Sequence, residues 1–156
     1  MNAKLPYFYE TEVEWTWGRS GELRSSGLPT IEVSAPPEFH GHEAMWTPEH
    51  LFVASVNSCF MATFAAIADM SKLEFVSFDC RAVGMLEKVE GRGFLITEIL
   101  LKPKVVVRHE RDLERAVRIL DKSERNCLIS NSINTMVRLE PAVEFEQVED
   151  RLPVLA

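Results

Sequence analysis

The chain has 156 residues, 46% hydrophobic and 26% charged, an ordinary globular mixture with apolar mass for one core and not two. Its formal net charge is -7 with no basic cluster, which excludes nucleic acid and an anionic membrane surface as main partners. Residues 108–125 are rich in arginine, but Glu110, Asp112, Glu114, Asp121 and Glu124 interleave with it, as on a solvated helix face.

The N-terminal third reads as strands. Residues 7–17 alternate apolar positions with Glu10, Glu12 and Glu14, and Gly18-Arg19-Ser20-Gly21 is a turn signal returning into a partner at 22–26. A short strand is expected at 30–34, then a loop at 36–44 with two prolines and two histidines. Thr47-Pro48-Glu49 is a helix start: an N-cap threonine, proline at the first helical position, and an acid near the positive helix end. The helix runs to about Lys72 and is apolar nearly all round, as in a central buried helix. Ser55, Asn57, Ser58 and Thr63 within it, and the lack of flanking basic anchors, favour that reading over a membrane span.

Residues 75–87 and 94–108 are two long strands joined by Glu90-Gly91-Arg92-Gly93, expected to form an antiparallel ribbon. Residues 111–125 are amphipathic, with Leu113, Ala116, Val117 and Leu120 in one stripe. A short helical turn follows at 128–133. A last strand at 137–147 is interrupted by Pro141, which points to a sheet edge. The order β-β-β-α-β-β-α-β is α+β, in one domain over 1–156: strands and loop at 1–46, a central helix at 47–72, and a β-β-α-β part at 73–156.

There are three cysteines. Residues 1–10 lack the apolar run of a secretion signal, so the expected location is a reducing cytoplasm, where a disulfide is transient rather than structural. Cys59 lies ten residues after Glu49, beyond the first turn in which the helix dipole acts. In an apolar helix it stays inert unless a cation is brought to it, and Arg19 in the 18–21 turn is a candidate. Cys127 stands between two helical segments: either the free N–H groups of a helix start stabilise its thiolate, or it is a half-buried loop cysteine. Cys80 shares a strand face with Val76, Phe78 and Ala82 and reads as core.

Taken together, Thr47-Pro48-Glu49-His50-Leu51-Phe52, Cys59-Phe60 and Cys127-x-x-Ser130-Asn131, with the arginine-bearing 18–21 turn, resemble the OsmC/Ohr family of thiol-dependent peroxidases. The resemblance covers essentially the whole chain; it departs at Leu128, where a proline often follows the second cysteine. It implies an intertwined homodimer, antiparallel sheets wrapped around two long central helices, with active sites at the subunit interface. It also implies a peroxidatic Cys59, a resolving Cys127, an Arg19 that stabilises the Cys59 thiolate, and a Glu49 that orients Arg19. No cofactor is implied, only a hydroperoxide substrate and an external dithiol, such as a lipoyl-bearing protein. Glu49 and Cys59 stand about 15 Å apart along a straight helix, so a site using both draws on two subunits. Phe52, Phe60, Met61 and Phe64 near Cys59 either favour organic hydroperoxides over hydrogen peroxide or are for the most part simply core.

Two rivals compete. His40-Gly41-His42-Glu43 has metal-ligand residue types, but a site needs three or four convergent ligands. A redox sensor or hydrophobic-ligand binder on the same fold is the second, and a binder has no need of both cysteines. His50 and His109 lack a visible nucleophile partner, and Trp15, Trp17 and Trp46 fit a small core as well as a pocket.

Overall fold

The computed structural model describes residues 5–147. Positions 1–4 and 148–156 of the expected 1–156 domain lie outside them. The chain divides between Phe52 and Val53 into two compact units.

The first unit holds an antiparallel sheet in the order β1 (Glu12–Trp17), β2 (Ser20–Arg24), β3 (Ile31–Ser34). Trp17 pairs with Ser20, so Gly18 and Arg19 form a two-residue hairpin loop. Gly18 sits at φ +55°, a left-handed conformation that glycine adopts at no steric cost. Only 12–17 of the expected strand at 7–17 joins the ladder. All six residues of β1 are exposed, Trp15 at 71% and Trp17 at 54%, so its tryptophans are not core.

Helix α1 (Pro48–Met70) starts as expected. Thr47 is buried, and its hydroxyl oxygen accepts from the His50 N–H at 3.3 Å while meeting His50 Nδ1 at 2.9 Å. The expectation of burial all round is not met. Val56, Phe60, Phe64, Ile67 and Ala68 form one buried stripe, and Met61 on another face is 45% exposed. By length and composition α1 is apolar enough to cross a membrane. Its stripe, however, packs rings onto a strand, as a core helix does.

That strand is β4 (Phe75–Val89), paired antiparallel with β5 (Gly93–Val107) as the hairpin reading expects. Phe64 stacks on Phe78 with centroids 4.9 Å apart and meets Phe75 edge-on at 5.3 Å. Residues three apart reach the same ring because the register slips at Val76, a bulge that turns Phe75 to the face of Phe78. Gly84 lets α1 approach: a Cβ there would lie 2.5 Å from Val53 Cγ2.

The second helix, α2 (Leu113–Arg125), buries Ala116, Ile119, Leu120 and Ser123. Ile119 takes the place expected for Val117, which is exposed at 36%: the stripe advances by three and four residues, and Val117 falls beside it. After α2 the chain returns along β5 as β6 (Met136–Leu139) and β7 (Ala142–Phe145), both parallel to it. The larger sheet is therefore mixed rather than wholly antiparallel, because a helix carries the chain back to the same end. The expected strand at 137–147 is split where Pro141 can donate no hydrogen bond, on the sheet edge as anticipated. Lys102–Glu140, Lys104–Glu144 and Arg108–Glu146 ion pairs mark this edge.

Candidate active site

Cys59 and Cys127 meet within the second unit. Cys59 is half-buried on α1; Cys127 is fully buried just past the end of α2. Both are free thiols, near enough for each to shift the other's titration.

The turn that follows α2 builds this meeting. Asn131 Nδ2 donates to the Arg125 carbonyl at 3.0 Å, and the Asn131 N–H to the Cys127 carbonyl at 3.0 Å. The Ser132 hydroxyl donates to the Leu128 carbonyl at 2.8 Å. The chain so tied leaves successive N–H groups free to face sulfur. Those of Leu128 and Ile129 act on the Cys59 thiol, and that of Ser130 on Cys127, each favouring the charged sulfur.

The two thiols are driven apart electrostatically. Burial pushes Cys59 up, but the Ile129 N–H, the Cys127 thiol, Thr63 and the Leu128 N–H together outweigh it and hold Cys59 below the ordinary thiol value. Thr63 has one hydroxyl proton, directed at the Cys59 carbonyl at 2.8 Å, so the turn and Cys127 carry most of this stabilisation. Burial raises Cys127; the Ser130 hydroxyl and N–H oppose it, and the neighbouring Cys59 raises it further as hydrogen-bond acceptor and as charge. A half-exposed thiol held low beside a buried thiol held high is a nucleophile beside a proton-bearing partner.

The reading of Cys127 as a thiolate held by a helix start is thereby corrected. Two of the three N–H groups of the turn serve Cys59, and Cys127 itself stays protonated. Leu128 supplies one of those donors, which a proline there would lack. Cys80 lines the inner side of β4, half-buried, and burial pushes its thiol up to about 11, against a Lys102 N–H and with Asp79 adding to the rise. The core reading of Cys80 is met in part: it is half-buried, while Val76, expected on its face, is exposed at the bulge. The Cys80 carbonyl accepts from Asn57 Nδ2 at 3.0 Å.

Arg19 and Glu49 fall in the first unit. Arg19 is exposed and donates from Nη1 to the Phe39 carbonyl. One carboxylate oxygen of Glu49, Oε2, is buried without a hydrogen-bond partner among the described residues. No ion pair joins Arg19 to Glu49. Phe60 and Phe64, expected beside a substrate pocket, are fully buried against Phe75 and Phe78 and belong to the core. His42 packs on Trp17 with centroids 4.0 Å apart, and no group of three or more His, Cys, Asp or Glu among the described residues is placed to hold a metal ion.

Sequence reasoning missed Leu128, Ile129 and Ser130. The first two act through backbone N–H groups, which carry no residue signature. Ser130 stood within the quoted Cys127-x-x-Ser130-Asn131 pattern, and a hydroxyl three residues from a thiol was the available signal.

The sequence profile of the OsmC-like protein family matches residues 41–141. The uncharacterized protein YmaD of Bacillus subtilis (strain 168) is 28% identical over 146 residues, 89% of this chain and 95% of that protein. An OsmC-like protein of unknown function from Vibrio cholerae superposes with a TM-score of 0.80 at 27% identity, over 87% of this chain and 99% of the other. An organic hydroperoxide resistance protein from Elizabethkingia anophelis superposes with a TM-score of 0.73 at 23% identity, over 92% of this chain and 100% of the other, a likeness of fold. With a family profile matched over well more than half its length, this α+β chain belongs to the OsmC-like protein family.

Proposed function

We propose that this protein is a thiol-dependent peroxidase that reduces organic hydroperoxides to alcohols. The observation that carries the reading is the pair of free thiols that act on one another, Cys59 held low and Cys127 held high. The Cys59 thiolate attacks the terminal oxygen of the hydroperoxide; the O–O bond breaks, an alkoxide leaves and takes up a proton as alcohol, and Cys59 becomes a sulfenic acid. Cys127 then closes a Cys59–Cys127 disulfide with loss of water, and an external dithiol, such as a lipoyl-bearing protein, restores both thiols by exchange. Two relatives in fold bear the name organic hydroperoxide resistance protein, in agreement with the substrate class.

In this reading the working protein is a cytoplasmic homodimer and the chain forms one domain of it. Arg19 adds its fixed charge to the thiolate and peroxide oxygen, and Glu49 orients Arg19. The unpartnered Glu49 Oε2 is a ready acceptor for that guanidinium.

The test is peroxide consumption by the pure protein with a dithiol, comparing cumene hydroperoxide with hydrogen peroxide. Multiple turnovers with cumene hydroperoxide are expected, abolished by Cys59→Ser and lost after one turnover in Cys127→Ser. Wild-type protein that consumes neither peroxide with any of several dithiols is a sensor or a hydrophobic-ligand binder instead.

A further inference from the structure

Asn131 fastens the chain on both sides of Cys127. Its side-chain Nδ2 donates to the Arg125 carbonyl at 3.0 Å, two residues before the cysteine, and its N–H donates to the Cys127 carbonyl at 3.0 Å. The Cys127 N–H donates to the Glu124 carbonyl at 3.1 Å. Both polar backbone groups of Cys127 are therefore committed, one to α2 and one to the turn. Arg125 is the last residue of α2, and its carbonyl is one of the acceptors that a helix end leaves open. The Asn131 amide reaches it from six residues farther on and so ties the turn to the helix.

We propose that Asn131 is the positioning residue for disulfide closure: it holds the turn against α2 so that Cys127 closes on Cys59 by rotation of its side chain, with the turn intact. The proposal rests on the peroxidase reading and assigns the control of its second step.

With its backbone fixed, the buried Cys127 sulfur has one inexpensive motion, rotation about the Cα–Cβ bond. A disulfide tolerates Cα atoms no more than about 7 Å apart, so a turn that drifts from α2 loses closure directly. The opposite course, in which the turn opens to release Cys127, breaks the two Asn131 bonds and uncovers a buried sulfur. It also breaks those that Ser132 makes, from its hydroxyl to the Leu128 carbonyl at 2.8 Å and from its N–H to the Ile129 carbonyl at 3.0 Å. Holding a reactive group in place is worth more than freeing it when the partner is already at hand. In the step the Cys127 sulfur forms the S–S bond, the Cys59 S–O bond breaks, and hydroxide leaves with the Cys127 proton as water. Cys127 is oxidised and Cys59 reduced, so no further reagent enters.

The experiment mixes reduced protein with one equivalent of cumene hydroperoxide at a pH where the first step no longer rises. Loss of Cys59 thiol, dimedone-trappable sulfenic acid and disulfide are followed with time. The variants are Asn131→Ala and Asn131→Asp, whose carboxylate keeps the shape but has no proton to donate to a carbonyl. In both, closure is expected to slow about threefold to tenfold while the first step keeps its wild-type rate, so that sulfenic acid accumulates. Hydrogen exchange on the wild type needs no variant: the Cys127 and Asn131 amides are expected to stay as protected in the disulfide form as in the reduced one. Closure at or above the wild-type rate in the variants overturns the proposal, as does equal slowing of both steps, or protection lost on oxidation. Wild type that gives neither sulfenic acid nor disulfide instead overturns the peroxidase reading itself.

Discussion

Cys59, Cys80 and Cys127 are one residue type in one compact unit, and their surroundings give them three chemistries. Cys59 is lowered because backbone and thiol donors outweigh its burial; Cys80 is raised to about 11 because burial outweighs its single N–H donor. The signs oppose in stability as well. The Cys80 contribution is whole below the ordinary thiol range and is lost as pH rises through about 11. The Cys59 contribution is present above that range and is lost as pH falls through its lowered value. Alkylation of the reduced protein near neutral pH, read by peptide mass spectrometry, is therefore expected to modify Cys59 ahead of both the half-buried Cys80 and the fully buried Cys127. Preferential modification of Cys80 would contradict the site. The two cysteines that come together stood out in the sequence, but the nucleophile role proposed for Cys59 came only through the family resemblance. Local chain rules left Cys127 open between a stabilised thiolate and a half-buried loop cysteine, and two of the N–H groups that follow it act on Cys59.

At the level of elements, the register of α1 on β4 decides whether Cys59 faces the turn after α2. Phe60 and Phe64 fix that register against Phe75 and Phe78, and Gly84 permits the close approach of Val53. Gly84→Val is expected to destabilise the protein by about 1–3 kcal/mol through overpacking, read as a lowered urea midpoint. The turn after α2 should loosen with it, since the helix that carries Cys59 is displaced. An unchanged midpoint would show that Val53 has room to turn aside. The helices, the long hairpin and the broken edge strand were all readable from period and punctuation. The bulge at Val76 and the parallel return of β6 and β7 were not, because both depend on which strand lies alongside.

For the whole molecule, the apolar surface left open is the outstanding fact. Val13, Trp15 and Trp17 on β1 are exposed, as are Met61 and Met70 on α1 and Val83, Met85 and Leu86 on β4. Exposed apolar residues in such number mark interaction surfaces in each of the two units taken by itself, and the homodimer proposed above gives them a cover. Sedimentation at micromolar concentration is expected to give twice the chain mass, and paired Trp15→Glu and Met61→Glu substitutions to shift it to one. A wild-type monomer would remove the two-subunit site proposed for Arg19 and Glu49.

The sequence by itself determined the α+β class, the order of elements, the helix start at Thr47 and the cysteines worth watching, because capping, period and turn chemistry act over a few residues. Only the tertiary structure decided that Cys59 and Cys127 touch, since 68 residues of chain separate them in the sequence. It also decided that the turn beside Cys59 is tied by hydrogen bonds from Asn131 and Ser132, so that its backbone N–H groups rather than the side chains of Leu128 and Ile129 lower that thiol.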